Sequence, residues 1–281
     1  YKHWRKAIEQ LLVCRYGKSL MSLRLDDNKR YLIIHSPWFS YYFWITECLP
    51  RLIMVKEQLK DLVLIYPENW KICAFVNETL DLFPELDKCI IPVDTHLFVK
   101  NLVMPEVKPW TPMVIPEQVL CVRELIFRVI QDKNILPPAG GNIYLSRKDA
   151  ARKNFENEKE VGTLLKDFGY QDITMGDKTI FEQAAIMKHT KNLVSITGAG
   201  MANFIFINEG ANILDLPHKA YLTTNHYKFH FWKIANLFNT NYFVQFCEHM
   251  NNPNIHAYSI QNIFADICEM KKILTLMESL K

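Results

Sequence analysis

The chain has 281 residues, 49% of them hydrophobic and 22% charged, with a net charge of +3. That length suits two domains of about 100–150 residues each, and the composition excludes disorder and low complexity. The weak net charge excludes a dedicated nucleic-acid binder but allows a local basic site for phosphates or an anionic surface.

In chain order, Tyr31–Ile34 reads as a strand and Tyr41–Leu59 as a helix, with Trp44, Cys48, Leu52, Val55 and Leu59 on one apolar face. Leu62–Tyr66, closed by Pro67, suits a buried parallel strand. Trp70–Leu82 predicts a helix, Cys89–Val93 a strand and His96–Met104 another. Prolines 105, 109, 112 and 116 mark a loop before the helix Glu117–Lys133. ILPPAGGN, residues 135–142, is the strongest linker signal and puts a domain boundary between residues 137 and 138.

The second half alternates more cleanly. Asn142–Leu145, Asp172–Thr174, Asn192–Thr197 and Asn212–Leu216 read as strands. Asn157 with Glu160 is a capping-box pattern before Val161, Leu164, Leu165 and Phe168, and Gly169 is a natural helix stop. Thr179 with Glu182 is a second such pattern, opening a helix to about His189. Repeated strand–helix units imply parallel sheets with right-handed crossovers. The fold expected is α/β, two Rossmann-like domains (1–137 and 138–281) facing a central cleft, with the last helix able to pack back on the first domain. Ligands of such sheets sit at the carboxyl ends of strands.

Seven cysteines, at 14, 48, 73, 89, 121, 247 and 268, form no CxxC pair. Buried free thiols in a reducing compartment are expected, rather than a zinc ribbon or a thioredoxin-type site. No apolar run reaches the roughly 18 residues of a membrane span. The chain starts at Tyr1 rather than Met, which leaves room for a trimmed upstream anchor. Asn77-Glu78-Thr79 is a glycosylation sequon, a short pattern that chance alone supplies.

Three stretches could carry chemistry. In SITGAGMANF, residues 195–204, a buried strand runs into Gly198-Ala199-Gly200 and a helix. Glycines admit a ligand close to the backbone, and free amides at a helix start attract anions. This is not a full GxGxxG, so a phosphate site and a plain tight turn are both open. In YLSRKDAARKNF, residues 144–155, Arg147, Lys148, Arg152 and Lys153 gather four positive charges after a strand. They read as a grip on a diphosphate or as a solvated basic loop.

The third stretch, IHSPWFSYYFWITECLPRL, covers residues 34–52. Glu47 and Arg51, four apart, could be a plain ion pair. Glu47 is also flanked by Trp44 and Cys48, a setting that suits a general base. Pro50 kinks the segment. His35, at a strand end, reads as structural or catalytic. His218, His226 and His230 near Asp215 lack any metal-site spacing, so no metal is expected. The tract 221–243 reads as a packed helix whose tyrosines and Trp232 could border a sugar or a base.

Taken together, these stretches resemble glycosyltransferase family 61. That group includes xylan arabinosyl- and xylosyltransferases, extracellular O-linked N-acetylglucosaminyltransferases and bacterial capsular polysaccharide enzymes. SYYFWITECLPRL (residues 40–52), with His35 before it, is similar to the family's NYYHWLxDxLPRL. Tyr144–Arg147 with its basic run is similar to YLSRxxAxxR, Phe181–Gln183 to SFxEQ, and Gly198–Phe206 with Asp215 to HGAGLxNxxFxxPG…VLEL. The likeness runs from about residue 30 to 245. Phe43 and Thr197 stand where the family has histidines, Glu47 where it often has Asp, and Asp215 where it has Glu.

The resemblance implies a GT-B-like architecture and an inverting, metal-independent transfer. The donor would be a nucleotide sugar, most simply a UDP-sugar, with no further cofactor. The acceptor would be a glycan or polysaccharide hydroxyl in surface polysaccharide (capsule) biosynthesis, and nucleic acid would not be a partner. Glu47 would be the base, with His35 the second catalytic candidate. Arg147, Arg152, Gly198, Gly200, Met201, Ala202, Asn203 and Asp215 would hold the donor; Tyr41, Tyr42, Trp44 and Arg51 would lie on the acceptor side. A cytoplasmic bacterial enzyme with peripheral membrane association is implied, or a Golgi or ER lumenal one behind a trimmed anchor. Two rivals stand beside this reading: a Rossmann-type oxidoreductase or methyltransferase using the Gly-Ala-Gly turn, and a non-catalytic glycan-binding relative.

Overall fold

The computed structural model describes residues 22–36, 39–106, 115–150, 153–223, 230–248 and 262–280. Its strands are β1 (Ser22–Arg24), β2 (Tyr31–Leu32), β3 (Val63–Pro67), β4 (Asp87–Ile91), β5 (His96–Phe98), β6 (Leu102–Val103), β7 (Gly141–Leu145), β8 (Gln171–Ile173), β9 (Thr190–Ile196), β10 (Asn212–Leu216) and β11 (Asn241–Val244). Its α-helices are α1 (Tyr41–Phe43), α2 (Leu49–Met54), α3 (Ala74–Leu80), α4 (Pro116–Asp132), α5 (Glu158–Asp167), α6 (Ile180–Lys188), α7 (Ala220–Thr223), α8 (His230–Leu237) and α9 (Ile267–Ser279). Every strand pair is parallel, so the α/β class expected from alternating elements is what the chain forms. No helix among the described residues is long and apolar enough to cross a membrane.

Two compact units form. The first holds residues up to His35 and Met54–Val107. Its four-stranded sheet runs β4-β3-β2-β6, and β1 pairs separately with β5. The expected single strand His96–Met104 is therefore two strands in different sheets. Lys100 and Asn101 break the apolar run, and Asn101 turns the chain by donating to Asp27 O (2.7 Å). The expected helix Trp70–Leu82 is a 3-10 turn (Glu68–Ile72) followed by α3. The sequon is folded inward: Asn77 accepts from the Tyr66 hydroxyl and donates to the carbonyls of Lys71 and Cys73, while Thr79 is wholly buried. His35 follows β2, the strand at which this sheet's order reverses, and its ring rests tilted on Trp70 at 4.6 Å.

The second unit holds Ser36–Ile53 and Lys108–Lys281, a division that differs from the expected boundary at 137/138. Its sheet runs β11-β10-β9-β7-β8. The Pro-Gly run before β7 leads straight into the strand, with Gly141 at φ +79°, and does not separate two units. On the contrary, α4 belongs with this second sheet, burying Val119, Val122, Ile126 and Ile130. The last helix also differs from expectation. Met270, Leu274 and Met277 of α9 pack with Tyr144, Val161, Val194 and Leu214 of this unit. Strands β7, β9 and β10 are buried on both faces, the reason their sequences lack strict alternation.

The helix expected over residues 41–59 is assembled in pieces: α1, a π-helical turn (Trp44–Cys48), α2 and a 3-10 turn (Lys56–Asp61). Pro50 has no N–H for the carbonyl of Thr46 and its ring would crowd that carbonyl. The chain relieves this by widening one turn, so that Leu49 N–H bonds to Trp44 O, five residues back. Among the caps, Thr179 and Glu182 bond reciprocally as expected, a device worth about 1 kcal/mol. Asn157 instead donates to Glu160 and to Ala265 O, so its capping box does not form. The tract read as one helix over 221–243 is α7, α8 and strand β11.

Candidate functional site

In the second unit the strand order reverses at β7, whose neighbours are β8 on one side and β9 on the other. Crevices that bind ligands in such sheets open at the carboxyl ends of the strands flanking that point. A cavity of about 150 Å³ lies there, lined by Leu145, Ser146, Arg147, Asp149, Met175, Ser195, Ile196, Gly200 and Met201. Its walls are the ends of β7 and β9 and the start of the 3-10 helix Ala199–Phe206. The first bond of that helix runs from Met201 N–H to Gly198 O, which leaves the amides of Ala199 and Gly200 ahead of it.

Arg147 is half-buried at this cavity, and burial holds its pKa below the usual range. Its Nε donates to Lys153 O at 3.1 Å. A Cβ on residue 198 would lie 2.8 Å from Arg147 Nη1, so any side chain there would push the guanidinium from its place over the turn. Lys153 adopts a left-handed φ of +61°, sparsely populated for a long side chain. That bend places its carbonyl on Arg147 while its ammonium donates to Thr197 O and the Tyr221 hydroxyl, both at 3.3 Å. Burial, then the charge of Arg147, lowers the Lys153 ammonium to about 8. Two cations are thus held together against their repulsion, beside amides that precede a helix.

Asp215 ends up beneath this pair rather than in it. It is wholly buried on β10, accepting from Thr197 Oγ1 at 2.6 Å and from the Tyr242 hydroxyl at 2.5 Å. Asp215 was expected to meet a ribose; here both its oxygens accept from the fold's own hydroxyls. Burial raises its carboxyl from the ordinary 3.8 to about 6, against the hydrogen bonds that lower it. Between those values the folded chain binds more protons than the unfolded one, so stability falls as pH rises through about 6. Asp215→Asn is expected to flatten the pH dependence of denaturant unfolding between about 4 and 6.5 and to hold or raise stability at pH 7.5. A slope unchanged in the variant would assign that pH dependence to other groups.

Asn203 is wholly buried, accepting from the Tyr41 hydroxyl (2.6 Å) and donating to Gln183 Oε1 (2.9 Å). Gln183 in turn donates to the carbonyls of Met175 and Lys178. This chain ties α1, the 3-10 helix and the loop carrying Met175 into one frame. The Tyr41 hydroxyl is spent within it rather than turned to an acceptor. Met201 and Ala202 are buried helix residues; Gly198 and Gly200 are partly exposed and Ala199 is exposed. Arg152 lies outside the described residues, as does His226.

Glu47 lies in the π turn, its side chain 16% exposed. Ser36 Oγ donates to its Oε2 at 2.7 Å, and Arg51 approaches the same oxygen at 3.8 Å. Tyr42 stands close by: burial, then the Glu47 charge, pushes its phenol well above the usual range. Trp44 and Arg51, expected on the acceptor side, are buried, and Arg51 approaches Glu47. Ser36 was not singled out from sequence, and Lys153, Gln183, Tyr221 and Tyr242 were named only within longer stretches. A basic run names Lys153 among four charges, but only the bent backbone shows which ammonium turns inward.

A larger concavity, about 790 Å³, lies at the opposite, amino end of the same sheet. There Asn142, Asn192, Asn212 and Asn241 stand in register and hydrogen-bond side chain to side chain across four strands at 2.7–2.8 Å. The ladder spends its amides internally and closes that end of the sheet.

Parallel strands with a cavity at the switch point are the arrangement by which open α/β sheets bind ligands. Within that class the chain belongs to the glycosyltransferase 61 family, whose model, described as Glycosyltransferase 61, matches residues 41–214, more than half of its length. No curated protein matches the chain. The matched span covers Glu47, Arg147 and the Gly-Ala-Gly turn. Membership supports a transferase that uses a sugar donor and a glycan acceptor.

Proposed function

We propose that the protein transfers a glycosyl group from a nucleotide sugar to a hydroxyl of a glycan acceptor, with inversion at the anomeric carbon. The observation that carries this reading is Arg147 lining the cavity at the carboxyl ends of β7 and β9, with its Nε on the carbonyl of Lys153, a second cation. In the proposed reaction the acceptor oxygen forms a bond to the anomeric carbon while the bond from that carbon to the donor's phosphate oxygen breaks. Glu47 takes the acceptor proton, its carboxylate oriented by Ser36 and Arg51. The leaving nucleoside diphosphate gathers negative charge, which Arg147, Lys153 and the Ala199 and Gly200 amides meet without reorganising. The donor is a UDP-sugar on the simplest reading, and a GT-B-like architecture and a role in surface polysaccharide biosynthesis belong to the same proposal.

A thermal-shift and turnover panel tests it. UDP, GDP or CMP is expected to raise the melting temperature, and one of their sugars to release free nucleotide on incubation with glycan acceptors. Stabilisation by NAD or S-adenosylmethionine and by none of these nucleotides would sink the reading in favour of a Rossmann-type cofactor enzyme. Nucleotide binding with no turnover from any donor would favour a non-catalytic relative.

A further inference from the structure

The carboxyl end of the 3-10 helix Ala199–Phe206 is held by a half-buried cation that the proposed reaction does not use. Arg123, on α4, donates from Nη1 to Ile205 O (2.6 Å) and Ile207 O (2.8 Å). Its guanidinium lies between the rings of Phe127 and Phe238, 4.5 and 4.6 Å from their centroids. Phe127 also contacts Phe206, the last residue of that helix, at 6.1 Å. No carboxylate pairs with Arg123 among the described residues. Among the described residues its charge is met by two carbonyls and two ring faces.

Carbonyls at the end of a helix have no intrahelical donor and carry the negative pole of its dipole. A neutral side chain of similar size would fill the space but leave both carbonyls unpartnered. A cation is therefore matched to the far end of the one helix whose start, at Ala199 and Gly200, faces the anion site. We propose that Arg123 is a positioning residue for that site: by anchoring the carboxyl end of the helix, it sets how far the Gly200 and Met201 wall and the leading amides stand from Arg147. This rests on the reading of the Arg147–Lys153 cavity as the donor's phosphate site.

Isothermal titration of UDP into the wild-type chain and into Arg123→Met and Arg123→Lys, at a temperature well below each melting point, tests it. Both variants are expected to melt lower. Arg123→Met is expected to raise the UDP Kd on the order of tenfold, about the loss of one charge-assisted hydrogen bond, and Arg123→Lys to recover part of it. Phe238→Leu, which removes one ring from the guanidinium and leaves the helix intact, is expected to fall between wild type and Arg123→Met, and reads the same effect if Arg123→Met does not fold. Folded variants that bind UDP with the wild-type Kd would overturn the positioning role and show Arg123 to act on stability alone. Failure of the wild-type chain to bind UDP, GDP or CMP would overturn the phosphate-site reading, and this inference with it; where GDP or CMP binds instead of UDP, that nucleotide is titrated in its place.

Discussion

Arg147→Ala is expected to lower kcat/KM for the nucleotide sugar on the order of 10²–10³-fold, with a small change in melting temperature. The size follows from where the charge sits. A guanidinium partly withdrawn from water interacts more strongly with a leaving diphosphate than a surface charge does, and no solvent has to rearrange as the bond breaks. The small stability change is expected because Arg147 Nε bonds a loop carbonyl, Lys153 O, rather than a strand or helix. Arg147→Lys should keep the charge but lose the bidentate fork, and so fall between wild type and Arg147→Ala.

The same variant has a signature in pH. In the wild-type chain Lys153 loses its proton near 8, so donor binding should weaken as pH rises through that value. Arg147 contributes to this lowering by repulsion, second to burial. Its removal should move the alkaline limb of the KM profile to higher pH. A profile that does not move would mean that Lys153 takes no part in holding the donor.

Glu47→Gln is the second large effect expected: a fall in kcat on the order of 10²–10⁴-fold with the donor KM nearly unchanged. Glutamine keeps the shape and still accepts from Ser36, so the fold should survive and only the proton acceptor is lost. Ser36→Ala should cost far less, since it loosens the carboxylate without removing it. Turnover by Glu47→Gln at the wild-type rate would leave Glu47 with a single task, steadying Arg51. The π turn gives this residue its setting. Without Pro50 the helix would close normally and Glu47 would sit on a different part of the turn.

Periodicity and local chemistry made much of this chain legible in advance. The apolar runs at β3, β9 and β10, the Thr179 cap and the left-handed stop at Gly169 (φ +71°) all depend on neighbours a few residues away. The order of motifs from Tyr41 to Asp215 carried the family, because spacing along the chain survives whatever the fold does with each side chain.

What stayed hidden depended on partners far away in sequence. Tyr41 and Asn203 are 162 residues apart, and nothing local shows that their hydrogen bond removes both from the list of ligand contacts. Asp215 follows the strand pattern as well as any ligand-binding acid would; Tyr242, on a neighbouring strand, is what closes it off. The linker signal before β7 was real as a local break. Whether a break also separates two cores is set by where α4 and the segment 36–53 bury their apolar faces, and both join the second sheet. Residue type limits the chemistry a position can do, but burial and pairing select which of that chemistry remains, and both are properties of the packed chain.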